Sequence, residues 1–317
     1  MSKTILITGG TGYLGRNLGS ILKEKYHIVL SGRNNKQNHC VQELTSCLVI
    51  PMDVTNIESV RDAFAEIRPD IIIHAAATKY VDLSEKYPME CVDINVTGSQ
   101  NVARVAIEKG VDTIIGMSTD KAAPPVVNTY GLSKALMERV FCAMNGKTAT
   151  KFACVRHGNI AWSTGSFLNL WRKMLKTNGV IQSTGPDMTR YISTVEEAVK
   201  LVITAFENID EIQGGILSCE MKSVLIRDVA DSCVKLSRGR WEQIEGRSGE
   251  REHEYLMGES ELAFTRRIDY SGAPHYLTTF NKPNAKPLKT IRCSLNAERL
   301  TEKEILEIIN NAPNEEI

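Results

Sequence analysis

Tyr130 and Lys134 stand one helical turn apart in Y-G-L-S-K, a spacing that puts both on one face of a helix. An ammonium beside a phenol favours the phenolate and lowers the tyrosine pKa from its reference near ~10. Such a tyrosine can take the proton of an alcohol while hydride leaves the same carbon. Tyrosine and lysine meet at this spacing by chance in many helices. Here the pair gains weight from its place, after a strand that ends near Met117. Between strand and pair lies Ser118-Thr119-Asp120-Lys121. An Asp-Lys dipeptide is ordinarily a solvated loop pair, but the rim beyond the carboxyl end of a strand is where open α/β sheets bind ligands.

A second constellation opens the chain. Residues 8 to 15 read T-G-G-T-G-Y-L-G, with Gly9, Gly12 and Gly15 three apart, a strand before them and a helix after. Gly9 permits a sharp turn, Gly12 lets backbone N–H groups approach a pyrophosphate, and Gly15 lets the helix pack closely on the strand. The helix N-terminus then faces the phosphate charge. The motif predicts a nicotinamide dinucleotide. The second strand ends Ser31-Gly32-Arg33-Asn34, with no acid for a free ribose 2′-hydroxyl. Arg33 can pair with a 2′-phosphate, so NADP is expected over NAD. Asp53-Val54, after the third strand, is expected at the adenine. The remaining cofactor wall is expected from Thr11, Tyr13, Leu14, Ala75, Ala76, Ala77 and Lys134.

The elements needed to position these groups are legible. Short β-branched runs at Thr4–Thr8, His27–Leu30, Cys47–Ile50, Asp70–His74, Thr113–Met117 and Lys151–Val155 alternate with helical patterns. Those patterns cover Leu14–Lys25, Ile57–Ile67, Pro88–Lys109 and Ser133–Met144. The alternation predicts an α/β fold, a Rossmann-type doubly wound parallel sheet. After Gly158 the rhythm breaks into shorter pieces, including helical Thr194–Asn208 and a last helix near Glu302–Ile309. The expected division is a dinucleotide-binding domain over 1–165, with elements crossing back near 191–210. A smaller C-terminal α/β lobe over 166–317 would hold most of the substrate.

Composition narrows the function classes. Lysine plus arginine and aspartate plus glutamate are both 38, so formal net charge is zero and nothing favours nucleic acid or an anionic membrane. Neither a signal peptide nor a membrane span is predicted. The eight cysteines show no metal-ligand spacing, so no metal site is expected, and reduced thiols in a cytoplasmic protein are.

T-G-G-T-G-x-x-G, His74-Ala75-Ala76-Ala77, Ser118–Ala122 and Y-x-x-x-K together resemble the extended short-chain dehydrogenase/reductases. More narrowly, the chain resembles the UDP-N-acetylglucosamine 4,6-dehydratases of bacterial surface-sugar biosynthesis. Arg156-His157-Gly158-Asn159 is similar to that family's R-x-G-N segment, and Asp187–Tyr191 to its M-T-R-F segment. Residues 246–254, G-R-S-G-E-R-E-H-E, are similar to its arginine segment. The likeness runs over about residues 3 to 310. Tyr13-Leu14, Pro124–Val127 and Ser248 depart from the family pattern.

The resemblance implies a reaction. Tyr130, tuned by Lys134, deprotonates the sugar 4-hydroxyl while hydride passes from C4 to NADP. Lys121 removes the C5 proton, Asp120 protonates the departing 6-hydroxyl, and Thr119 holds the 4-oxygen. Hydride then returns to C6, so NADP stays tightly bound and is recycled within turnover. The adjacent Asp-Lys pair separates this reading from retaining glucose 4,6-dehydratases, which carry Asp-Glu, and from simple 4-epimerases. The short form without a membrane segment leans toward inversion at C5. Arg190 and Arg247 are expected at the pyrophosphate of the sugar nucleotide. Asn159 is expected at the phosphates or the sugar, and Lys79 near the sugar. Asn95 and His157 read as structural. A homo-oligomer, a dimer or higher, is expected through the long helices. The competing readings are a sugar-nucleotide 4-epimerase or 4-reductase and a non-catalytic NADP-binding regulator.

Overall fold

The computed structural model describes residues 2–313. The first half lays down β1 (Thr4–Thr8), α1 (Tyr13–Leu22), β2 (His27–Gly32), α2 (Asn35–Thr45), β3 (Leu48–Pro51), α3 (Ile57–Ile67) and β4 (Ile71–His74). It continues through α4 (Val81–Lys86), α5 (Pro88–Val92), a π-helical stretch at Asp93–Thr97, α6 (Gly98–Lys109), β5 (Thr113–Thr119), α7 (Thr129–Met144) and β6 (Lys151–His157). These strands run parallel in the order β3-β2-β1-β4-β5-β6, and the order reverses between β1 and β4.

Strand residues alternate between two cores. Ile5 and Ile7 of β1 pack toward Leu18 and Leu22 of α1, while Leu6 packs toward Phe64 of α3 and Val102 of α6. Apolar side chains on both faces are what a sheet covered by helices on both sides requires. Pro88–Lys109 was expected as one helix and is one helical run, interrupted at Asp93–Thr97 by wider π-turns. Such bulges turn a side chain out of the regular ladder. Here Asn95 accepts from the Thr78 amide at 2.9 Å and donates to the Thr78 carbonyl at 3.0 Å.

The second half contributes β7 (Asn159–Ile160), α8 (Phe167–Asn178), β8 (Val180–Ser183), β9 (Thr189–Ser193), α9 (Val195–Glu207), α10 (Ile209–Ile212), β10 (Gly215–Cys219) and β11 (Ser223–Leu225). Then come α11 (Ile226–Ser237), β12 (Arg240–Gln243), β13 (Tyr255–Met257), β14 (Thr265–Tyr270), β15 (Ala273–Thr279), β16 (Arg292–Cys293) and α12 (Glu302–Asn310). Three of these strands rejoin the main sheet. β10 lies parallel to β6, and the β14–β15 hairpin adds antiparallel beyond it, completing nine strands. Helix α9, opened by a Thr194–Glu197 capping box, packs on the α1 face of the sheet. A separate apolar cluster, with Leu168, Trp171, Ile181, Val229 and Ile305, supports the small sheets β7-β9-β11 and β8-β12. Among the described residues, no helix is long and apolar enough to cross a membrane.

Candidate active site

One cavity of about 770 Å³ runs along the carboxyl ends of β1 to β5, over the point where the strand order reverses. Ligands of open parallel sheets bind at such a crevice.

The glycine turn forms one end. Gly9 adopts φ +62°, a left-handed conformation that L side chains avoid, and an added Cβ would sit 2.7 Å from Ala76 Cα. A Cβ on Gly15 would sit 2.6 Å from Gly10 Cα. The turn therefore exists only with glycine at these positions, and it holds the start of α1 open toward the cavity. Thr11, Gly12, Tyr13 and Leu14 line that end, followed by Arg33, Asn34, Asp53 and Val54 along β2 and β3, and Ala75, Ala76 and Ala77 after β4. Asn34 caps α2 by accepting from the Gln37 amide at 3.0 Å. Arg33 is exposed to solvent at the cavity edge. Ser31 does not reach the cavity. It is fully buried, its hydroxyl lies 3.5 Å from the Ile7 carbonyl, and its own carbonyl accepts from Gly10 at 2.8 Å. Strand alternation turns Ser31 into the sheet, so it supports the glycine turn from behind.

The other end gathers Thr119, Lys121, Tyr130, Lys134, Asn159 and Lys79. Thr119 closes β5 and caps the short turn Asp120–Ala122, while Asn128 caps α7 and so fixes where Tyr130 begins its helix. The Thr119 hydroxyl donates to Asp120 Oδ1 at 2.9 Å. Lys121 Nζ lies 3.1 Å from the same oxygen, 3.3 Å from Asn159 Oδ1 and 3.4 Å from Glu254 Oε1. The ammonium donates hydrogen bonds to Asp120 and Asn159, and Glu254 pairs with it as an ion. Burial pulls the Lys121 pKa down, but Asp120 and Glu254 outweigh it and the net shift is upward, with Arg190 acting against them. Asp120 stands behind the cavity wall, fully buried, with Oδ2 lacking a hydrogen-bond partner among the described residues.

The expected tuning of Tyr130 by Lys134 is not the geometry found. Burial raises the phenol to about 12, and the groups acting on it next are Lys121, Asp120, Thr119 and Cys91. Lys134 Nζ points instead to Met137 Sδ at 3.3 Å, and burial lowers its pKa to about 8. Lys79 lines the cavity at its mouth, exposed to solvent.

Two expected anion ligands lie elsewhere. Arg190 does not line the cavity; its guanidinium donates to the Thr189 carbonyl at 2.8 Å and the Glu252 carbonyl at 3.1 Å. Arg247 is exposed, in a turn where its amide donates to Glu250 at 2.9 Å. The segment that carries it instead delivers Arg251 and Glu254 to the site. Both are buried, and Arg251 donates to the carbonyls of Lys121, Ala123 and Pro125. Neither was singled out from sequence, because an R-E-H-E run reads as solvated charge until its partners are known.

His157 lines the cavity but accepts no role beyond a 2.7 Å contact to the Gly158 carbonyl, and burial lowers its pKa. Arg156 is wholly buried between Glu138 and Glu261. Among the described residues no histidine, cysteine, aspartate and glutamate cluster could hold a metal ion.

Residues 5–271 match the family described as polysaccharide biosynthesis protein. The UDP-N-acetylglucosamine 4,6-dehydratase (inverting) of Campylobacter jejuni is 31% identical and aligns over 98% of each chain. A UDP-glucose 4-epimerase of Rickettsia bellii is 32% identical over 98% of this chain and 96% of its own. The solved structure of Pen from Bacillus thuringiensis superposes with a TM-score of 0.88 at 27% identity, over 98% of this chain and 97% of that one.

Proposed function

The chain belongs to the polysaccharide biosynthesis protein family, and from that premise we propose that it is a 4,6-dehydratase of a nucleotide-activated hexose, with UDP-N-acetylglucosamine as substrate, NADP as cofactor and inversion at C5. The observation that carries this reading is the Thr119–Asp120–Lys121 cluster beside Tyr130, with the buried Asp120 Oδ2 unpartnered. A reaction that only oxidises and reduces C4 needs Tyr130 and Lys134. The added acid and ammonium suit a reaction that also moves a proton at C5 and expels a hydroxyl. The C. jejuni relative named for this reaction supports the reading.

The residues present fit a dinucleotide: the glycine cradle leaves no room for a Cβ, and Arg33 with no acid beside it suits a 2′-phosphate. When bound, the dinucleotide supplies a hydride acceptor for C4 and a donor for C6, and its positive ring favours the Tyr130 phenolate. Lys134 would hold its ribose. Tyr130 takes the 4-hydroxyl proton, with Thr119 donating to the developing 4-oxygen. Lys121, made neutral by passing its proton to Asp120 at 3.1 Å, takes the C5 proton that the 4-ketone has acidified. The C6–O bond breaks, and Asp120, as carboxylic acid, gives its proton to the departing hydroxyl, which leaves as water. Hydride reaches C6. A solvent proton then reaches C5 from the face opposite Lys121, which inverts that centre, and Tyr130, Lys121 and Asp120 regain their starting protonation through solvent. In this reading residues 1–165 hold the dinucleotide and 166–317 mainly the sugar nucleotide. Lys79 and Asn159 contact the sugar, while Arg190 reaches the pyrophosphate by turning from its carbonyl partners.

Incubation with UDP-N-acetylglucosamine in heavy water tests the proposal. Mass spectrometry should show loss of one water, and NMR should show deuterium at C5 with inverted configuration and no net consumption of NADP. A second reading, 4-epimerisation, is favoured by the place of Asp120 behind the cavity wall and by the epimerase relative. It predicts a product of unchanged mass, and that result would replace the dehydratase reading.

A further inference from the structure

Lys121 is the cavity cation with the most elaborate set of partners, and one of those partners comes from far along the chain. Glu254 is buried just before β13. Its Oε1 lies 3.4 Å from Lys121 Nζ, and its Oε2 lies 3.4 Å from Arg251 Nη1. Its backbone is pinned as well: the Glu254 amide donates to Ser294 Oγ at 2.9 Å, and its carbonyl accepts from the Ser294 amide at 2.8 Å. Arg251 Nη2 meanwhile bonds the carbonyls of Lys121, Ala123 and Pro125. One arginine thus grips both the backbone of the loop after β5 and the carboxylate that holds the side chain of that loop.

We infer that Glu254 is a positioning residue for Lys121, holding its ammonium at the sugar wall through a carboxylate that Arg251 and Ser294 keep in place. The inference rests on the proposed dehydration for its chemical meaning. A flexible lysine stem left alone samples many rotamers. Three oxygens on three separate segments, Asp120, Asn159 and Glu254, reduce these to one. Asp120 and Asn159 belong to neighbouring strand ends and would be present in any variant of the sheet. Arg251 ties the Lys121 backbone to the segment that closes over the loop, and Glu254 ties its side chain there. A displacement near 1 Å from a supporting group costs roughly 100-fold in rate.

Glu254 also shapes the charge of Lys121. The groups facing the ammonium are the anions Asp120 and Glu254, the cation Arg190, the amide of Asn159, and Tyr130 and His157 from the adjoining elements. Neutralising Glu254 removes one of the two anions that raise Lys121, so the amine loses its proton at lower pH.

The test uses the full chain as wild type, Glu254→Gln and Glu254→Asp, with UDP-N-acetylglucosamine in heavy water across a pH series. Glu254→Gln should retain dinucleotide affinity and KM while C5 deuteration and water loss slow by about 10- to 100-fold. Its rate profile should shift to lower pH, and Glu254→Asp should restore part of the rate. In parallel, ¹³C-dimethylation of the lysines and NMR titration, with Lys121→Arg for assignment, should give Lys121 a lower pKa in Glu254→Gln. Unchanged rate and profile, or an unchanged Lys121 titration, overturns the inference. So does a slowed variant whose profile stays in place and which aspartate does not rescue. Should Glu254→Gln fail to fold, Glu254→Asp carries the same comparison with smaller shifts. If wild type loses no water, the dehydratase reading fails, and the Lys121 titration still decides whether Glu254 holds it.

Discussion

Lys134 lies one turn beyond Tyr130 on α7, yet its ammonium rests 3.3 Å from Met137 Sδ and leaves the phenol to Lys121, Asp120 and Thr119. A thioether is a weak acceptor, so a buried cation is held there at a cost that a better partner would relieve. In the proposed reading the ribose of the dinucleotide would be that partner.

Lys134→Met should therefore stabilise the ligand-free protein while removing dinucleotide binding. Burial lowers the Lys134 pKa from 10.5 to about 8, a penalty on the order of 3–4 kcal/mol. The sign follows from proton counting: below pH 8 both folded and unfolded chains carry the proton, and the folded chain bears the full penalty. Between 8 and 10.5 the folded chain releases it first, so wild-type stability rises with pH. Urea unfolding at pH 7 and pH 10 should show the variant's advantage shrinking as pH rises. A variant less stable at both values contradicts this account.

Arg33→Glu should reverse the dinucleotide preference. Arg33 is exposed at the cavity edge with no acid in Ser31–Asn34. A carboxylate there repels a 2′-phosphate and accepts from a 2′-hydroxyl. Fluorescence titration should show NADP affinity falling about 10- to 100-fold and NAD affinity rising. Equal binding of the two by wild type would remove Arg33 from the cofactor site.

Arg156→Met tests the scaffold under the site. Arg156 donates to Glu138 at 2.7 and 3.0 Å, to Glu261 at 2.9 and 3.0 Å, and to the Leu256 carbonyl at 2.7 Å. Removing it leaves two buried carboxylates without their cation, which costs about 3–5 kcal/mol. Denaturant unfolding reads this directly. Glu138 also accepts from Ser118, one residue before Thr119, so activity should fall even where the variant remains folded. A loss under 1 kcal/mol would mean that water or other residues satisfy both carboxylates.

The sheet was legible because its strands announce themselves by composition: Thr4–Thr8 and Ile71–His74 are apolar on both faces and bounded by turn residues. The glycine turn was legible because its chemistry is local. What escaped the sequence was non-local. Helix α8 hides in a segment rich in glycine, serine and threonine. The β14–β15 hairpin carries arginines that read as surface, and Ser31 faces inward only once strand register is fixed. Likewise the direction of the Tyr130 shift depends on burial, which no spacing reveals. The arginine segment pointed to the right neighbourhood, but Arg251 and Glu254 rather than Arg247 enter it, because the turn at Gly249, φ +78°, reverses the chain between them.

Asp120→Asn should separate oxidation at C4 from loss of water. The carboxylate has one oxygen shared by Thr119 and Lys121 and the other without a partner. An asparagine of the same shape can keep one acceptor at the shared position but has no acidic proton for a departing hydroxyl. Tyr130 and Thr119 remain, so the 4-ketone should still form, and the 6-hydroxyl should persist on it. Quenching with borodeuteride would trap that species as a hexose carrying deuterium at C4 and an intact C6 oxygen, whereas wild type yields only 6-deoxy products. Turnover to the 6-deoxy sugar should drop by about 100- to 10,000-fold, the range for removing a general acid. If Asp120→Asn instead forms the 6-deoxy product at near wild-type rate, another group protonates the hydroxyl. Asp120 would then serve only to anchor Lys121, and its unpartnered oxygen would belong to the fold rather than the reaction.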